Sequence, residues 1–334
     1  MRSDSYFSIK FQDGRLVFLD QTKLPSCEEY IHTDNPERVA EAIKRLEIRG
    51  APLIGIAAAY ALALSVKGGF SEQVFNSAFQ LLSSTRPTAV NLFNCLQRMK
   101  QFCFDLPGEE RNFDNLLSEA KRIHSEDEAM CEQIAENGLE IFNEGSTVLT
   151  HCNTGRLATG GIGTAFGVIQ RGFENGLIKH VYADETRPLF QGLRLTSYEL
   201  SKNGIPFSII PDSAAGVLIR DGKIDLVITG ADRIASNGDS ANKLGTFTLS
   251  VLCKEYKVPF YIAAPSTTID PAALGFSDIP IEERSPMELV QYLSSGFTSL
   301  NFNCFNPSFD ITPAENITGI ITEKGIFKFP FSFR

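Results

Sequence analysis

Val148-Leu149-Thr150-His151-Cys152-Asn153-Thr154-Gly155 is the stretch whose reading decides the fold. An apolar, β-forming run ends in a polar cluster and a glycine turn, and helical periodicity follows over 159–173. The same texture repeats downstream. Val181-Tyr182-Ala183 reads as a strand and 194–202 as a helix. Residues 207–211 read as a strand, 214–220 as a short helix, and Leu226-Val227-Ile228 as a strand. A helix over 241–256 precedes the strand Phe260-Tyr261-Ile262-Ala263. Strands that alternate with helices in this way predict an α/β fold with a parallel, doubly wound sheet. Its ligand crevice should lie at the C-terminal ends of the strands.

Upstream the pattern differs. Residues 7–19 alternate around Asp13-Gly14, a hairpin signal, and predict a small antiparallel ribbon. Asn35-Pro36 opens a helix through Val39, Ile43 and Leu46. Further helices are expected over 51–66, 75–82, 90–104 and 116–142. The reading is two domains: 1–125, helical with a ribbon, and 126–334, the catalytic α/β domain. The uncharged run 51–66 has 16 residues, short of the roughly 20 that a membrane helix needs. Residues 1–10 carry charges and no apolar core, so no secretory signal is expected.

Composition excludes several classes. The net charge of −9 argues against nucleic-acid binding, which needs clustered Lys and Arg. Seven cysteines include no Cys-x-x-Cys pair, so zinc spacing is absent, and the thiols fit a reducing, cytoplasmic compartment. The phenylalanine-rich tail over 327–334 is expected to dock on a surface or a partner subunit.

Chemistry concentrates after the predicted strands. Cys152 ends one strand before a turn into a helix, whose N-terminus would favour a thiolate able to act as base, nucleophile or charge stabiliser. Asp232 ends the run 225–231, where partial desolvation favours the neutral, proton-donating acid. Asn242 and Lys243 near a helix start suit a phosphate, as does Arg49-Gly50-Ala51 at the head of the 51–66 helix. Arg86 is a third cationic candidate, and Gln191 can meet sugar hydroxyls. Neighbouring strand residues face opposite ways, so His151 is read as structural rather than as a partner of Cys152. Gly160-Gly161-Ile162-Gly163 mimics a dinucleotide fingerprint, but Phe166 occupies the third glycine position and is too bulky for it.

Seven ordered blocks carry a resemblance. They are IRGAPLIGIAAAY (48–60), LTHCNTGRLATGG (149–161), YADETRPLFQG (182–192), GADRIASNGDSANKLGT (230–246), AAPSTTID (263–270), IPIEERSP (279–286) and NPSFDITPAENITGIITEKG (306–325). Together they closely resemble the methylthioribose-1-phosphate isomerase family, related to the regulatory subunits of translation initiation factor 2B. The resemblance implies a Rossmann-like C-terminal domain and a smaller N-terminal domain of helices and a β ribbon. It implies an aldose–ketose isomerase acting on a sugar phosphate, a homodimer, and no metal or organic cofactor. It places the catalytic cysteine on Cys152 and the proton donor on Asp232. Substrate binding falls on Arg49, Gly50, Ala51, Arg86, Gln191, Asn242 and Lys243. The chain departs from the family at Thr154 and Arg156, usually small residues, and at Ile162, often aromatic. Relatives acting on 5-deoxyribose 1-phosphate or ribose 1,5-bisphosphate are the alternative, and non-catalytic regulatory subunits are the second.

Overall fold

The computed structural model describes residues 6–86, 89–292 and 303–333. Met1, Pro87, Thr88 and Arg334, which the sequence reading touches, lie outside these. The chain divides into two compact units. One comprises Met1–Gln133 and Thr154–Gly167, the other Ile134–Asn153 and Val168–Arg334.

The first unit begins with the three-stranded antiparallel ribbon β1 (Ile9–Gln12), β2 (Arg15–Leu19) and β3 (Tyr30–Thr33). Asp13-Gly14 turns β1 into β2, both in the left-handed region as such a turn requires. The third strand lacks a comparable turn signal, and the sequence reading did not include it. Helix α1 (Pro36–Lys44) is capped by Asn35, whose side chain accepts from the Glu37 and Arg38 N–H groups at 2.7 and 3.1 Å. Helices α2 (Ala51–Leu64), α3 (Glu72–Ser83), α4 (Val90–Asp105) and α5 (Phe113–Asn137) complete the set. Every residue of α2 from Leu53 on is buried. Its small residues let neighbours approach closely, so it forms the centre of a core that includes Phe18, Ile43, Phe75, Leu92 and Leu116. Fully burying one such side chain contributes roughly 1.5–3 kcal/mol.

The second unit contains β4 (Ser146–Thr150), α6 (Ala165–Glu174, begun in the first unit), β5 (Ile178–Asp184), α7 (Ser197–Lys202), β6 (Phe207–Ile210) and α8 (Ala215–Arg220). Next come β7 (Leu226–Thr229), β8 (Arg233–Ala235), β9 (Ser240–Lys243), α9 (Thr246–Tyr256), β10 (Phe260–Ala263) and β11 (Ile269–Asp270). The chain closes with α10 (Met287–Val290), β12 (Phe309–Thr312), β13 (Gly319–Thr322) and β14 (Gly325–Lys328).

Among the described residues, seven strands form the main sheet, in the order β14-β13-β10-β7-β4-β5-β6. All pairs are parallel except β13 with β14. The order makes this the doubly wound sheet that the alternation predicts, Rossmann-like as the resemblance implies. Central strands β4 and β7 are buried along their whole length, whereas β6 at the edge is half-buried throughout, as burial on both faces of a parallel sheet demands. From β4 the chain winds outward through β5 and β6, then returns to β7 and winds the other way. The reversal falls between β4 and β7, paired at Val148 with Leu226 and Leu149 with Val227.

Two expectations need correction. The helix expected from residue 159 begins only at Ala165. A short 3-10 turn, Arg156–Ala158, and a glycine-rich loop come first. A Cβ on Gly160 would lie 2.6 Å from the His124 ring, so this glycine serves close packing rather than phosphate binding. Asn242 and Lys243 do not sit in a helix; they end β9, in a second sheet of order β11-β8-β9-β12. That sheet depends on β12 pairing with β9, Phe309 opposite Lys243, a partner too distant in sequence for periodicity to show. The phenylalanine tail packs on its own unit. Phe331 is buried and stacks on Phe333, and the Phe333 N–H donates to the Ser236 carbonyl.

Candidate active site

Cys152 follows the C-terminal end of β4, and Asp232 follows the end of β7. These are the two strands flanking the point where winding reverses, the place where doubly wound sheets form a ligand crevice. Cys152 is buried, and its backbone adopts φ 63°, in the left-handed region. For a residue with a Cβ this costs roughly 1–3 kcal/mol and persists only where the surroundings impose it. Asp232 is half-buried, and its backbone N–H donates to the Ala241 carbonyl at 2.9 Å, which ties its backbone to β9.

Lys243 is buried at the end of that strand, its Nζ donating to the Ser308 carbonyl at 3.3 Å. Burial pushes its amine below the ordinary lysine value, against the opposing pull of Cys152, Glu288 and Asp232. Thus Cys152, Asp232 and Lys243 lie within one electrostatic neighbourhood. Asn242 is buried beside it, its amide donating to the Thr246 hydroxyl at 3.0 Å. Gln191 precedes the helical turn Gly192–Thr196, and its Oε1 is buried without a hydrogen-bond partner. An acceptor left that way costs about 1–3 kcal/mol.

The remaining sequence candidates belong to the first unit. Gly50 is the N-cap of α2 at φ 90°. A Cβ there would meet the Ala158 backbone at 2.5 Å, so the position requires glycine. Gly50 has no side chain to cap this helix start, and Arg49 flanks it. Arg86 follows α3. Of the departures from the family, Arg156 lies over the Tyr6 ring at 5.9 Å, Thr154 accepts from the Phe166 N–H at 3.1 Å, and Ile162 is buried.

His151 is more than a filler. Its Nδ1 lies 2.8 Å from Asp184 and its Nε2 2.9 Å from the Leu244 carbonyl, both acceptors when Asp184 is ionised. Burial lowers the imidazole's proton affinity, but Asp184 and the carbonyl outweigh it, so the net shift is upward; burial likewise raises Asp184. The hydrogen-bonded pair links β4, β5 and the loop after Lys243. Ligand atoms of His151, Asp184 and Asp212 lie within 4.8 Å of one another, close enough for a metal ion. Both imidazole nitrogens and both Asp212 oxygens are hydrogen-bonded, while Asp184 Oδ1 is buried without a hydrogen-bond partner. The helix-terminus argument for Cys152 does not hold as made, because α6 starts well beyond it. Thr186 and Thr196, which do hold Cys152, were missed; Thr186 lies within a polar cluster that the sequence shows plainly.

Residues 47–329 match the Initiation factor 2 subunit family. Methylthioribose-1-phosphate isomerase of Caldicellulosiruptor saccharolyticus is 49% identical over 329 residues, covering 96% of each chain. A crystal structure of 5-methylthioribose 1-phosphate isomerase from Pyrococcus horikoshii superposes with a TM-score of 0.90 at 38% identity, covering 98% of this chain and 94% of that one. The eIF-2B subunit delta of A. fulgidus gives 0.85 at 41% identity, covering 98% and 97%.

Proposed function

This chain belongs to the Initiation factor 2 subunit family, and from that premise we propose that it is an aldose–ketose isomerase of methionine salvage. The reaction converts 5-methylthio-D-ribose 1-phosphate to 5-methylthio-D-ribulose 1-phosphate. The placement of Cys152 and Asp232 on the two strands flanking the switch point carries this reading, and the names of the relatives support it.

The phosphate on the anomeric oxygen prevents the ring from opening as a simple hemiacetal. An acid must therefore protonate the ring oxygen as its bond to C1 breaks, and Asp232 takes that role. Cys152 then accepts the C2 proton, leaving an enol. Ketonisation at C2 sends the hydroxyl proton back to Asp232, while C1 takes the proton held on Cys152, so both groups are restored. In a second route hydride passes directly from C2 to C1, and Cys152 tunes the charge nearby. Lys243 and Asn242 serve the phosphate, and the buried, unpartnered Gln191 oxygen would accept from a sugar hydroxyl. Arg49, Gly50, Ala51 and Arg86 keep the anion-binding role that the resemblance implies. Arg156 packs on Tyr6, which favours the methylthio substrate over a more highly charged sugar.

Turnover of methylthio-, deoxy- and phospho-ribose 1-phosphates by the purified protein tests the reading. We expect the methylthio sugar to be preferred. Cys152→Ser and Asp232→Asn should each lose on the order of 10²–10⁴-fold in kcat. A variant at the wild-type rate removes that residue from the chemistry. Failure on all three sugars supports instead a regulatory subunit like the eIF-2B protein. In heavy water, deuterium at C1 of the product selects the proton route.

We read the enzyme as a cytoplasmic homodimer. No described helix is long and apolar enough to cross a membrane. Phe247 and Val251, one turn apart on α9, are 41% and 44% exposed, and Val217 on α8 is 48% exposed. Light scattering that returns the monomer mass of 36.8 kDa sinks the dimer.

A further inference from the structure

The left-handed backbone of Cys152 is held from both sides. Its N–H donates to the Thr186 hydroxyl at 2.9 Å, and its carbonyl accepts from the Thr196 hydroxyl at 2.5 Å. Both threonines are buried. Thr186 passes its own proton to the Asp184 carbonyl at 3.1 Å, and Thr196 accepts from the Asn153 amide at 3.3 Å. Each hydroxyl thus donates one hydrogen bond and accepts another.

Thr186 is itself at φ 64°. A β-branched residue in the left-handed region is an outlier that its surroundings must impose. Asp212 does so, its two oxygens accepting from the Thr186 and Arg187 N–H groups at 2.7 and 2.8 Å. Asp212, Thr186 and Cys152 thus form a chain of hydrogen bonds between two strained residues at the ends of adjacent strands β4 and β5. The strain has a direction, because a change of φ at Cys152 swings its Cβ and sulfur together.

We propose that Thr186, anchored by Asp212, is a positioning residue for Cys152, and that its hydroxyl aims the sulfur at the reacting carbons. The proposal rests on the catalytic reading of Cys152. Valine keeps the shape of Thr186 but loses the acceptor, and serine keeps the acceptor but loses a methyl group. Thr186→Val should lower kcat by about tenfold or more, since a small misplacement of a reacting group is costly. KM should stay within about threefold, because no substrate contact is removed. The rate at which iodoacetamide alkylates Cys152, followed by peptide mass spectrometry across pH, should change in parallel. Thr186→Ser should restore both readouts. Thr186→Ala replaces the valine variant if the latter does not melt cooperatively.

A valine or alanine variant that keeps more than half the wild-type kcat with an unchanged alkylation profile overturns the proposal. So does a serine variant no better than valine. Cys152→Ser, assayed alongside, separates the two claims. If it turns over normally, the catalytic reading fails, while the alkylation profile of Thr186→Val still decides whether Thr186 positions the sulfur.

Discussion

Asp127 shows how much one buried carboxyl can weigh. Its Oδ2 accepts from the Gly160 N–H at 2.7 Å, and burial raises its pKa from the ordinary 3.8 to about 6. A raised acid binds its proton more tightly in the folded state. Stability is thus fully present at low pH and falls as pH rises from about 3.8 through 6, by on the order of 3 kcal/mol. Asp127→Asn should flatten that fall. Urea midpoints measured from pH 4 to 8 check it, and parallel curves for the two proteins refute it. The strands that Cys152 and Asp232 follow were legible in the sequence because each is a short apolar run, although β4 stops at Thr150 and β7 at Thr229, short of both residues. The clamp on Cys152 was not. It depends on a positive φ at Cys152, a property of the folded backbone that residue identity does not reveal.

Helix starts divide into the readable and the unreadable. Asn35-Pro36 is readable because the cap is local: the acceptor lies two and three residues from its donors. Asn35→Ala should cost about 1 kcal/mol and lower the urea midpoint without changing the slope. An unchanged midpoint would show that solvent replaces the cap at no loss. Helix α6 was placed too early because Gly160, Gly161 and Gly163 carry no periodicity of their own, while the close packing that requires Gly160 is tertiary. Strand β9 was taken into the following helix for a similar reason. Its four residues are held by β8 and β12, and a strand that short has no pattern to read.

At the scale of the molecule, the doubly wound sheet was legible from β4 to β10, but its last two strands, β13 and β14, were not. Its central strands are continuous apolar runs, which parallel pairing buried on both faces requires. The second sheet and the return of Thr154–Gly167 to the first unit were not, since both rest on pairings between distant residues. Substrate binding should register on the whole fold. With Cys152→Ser to prevent turnover, methylthioribose 1-phosphate at a hundred times its Kd should add about 2.7 kcal/mol of stability. A melting temperature that ignores the sugar phosphate but responds to another ligand would redirect the search for a substrate.

The return of Thr154–Gly167 also bears on inheritance. Ser8 and Gln21 donate to the carbonyls of Thr159 and Leu157, and Asp127 takes the Gly160 N–H. The early part of the chain is therefore completed by residues encoded after Cys152. No single crossover in the gene can exchange one unit and leave the other whole. A hybrid joined near residue 134 would carry one parent's helices against the other parent's loop, in the segment that directly follows the proposed catalytic cysteine. The units of such a protein descend together or are lost together, and shuffled libraries of its relatives should keep only crossovers that preserve both sides of these contacts.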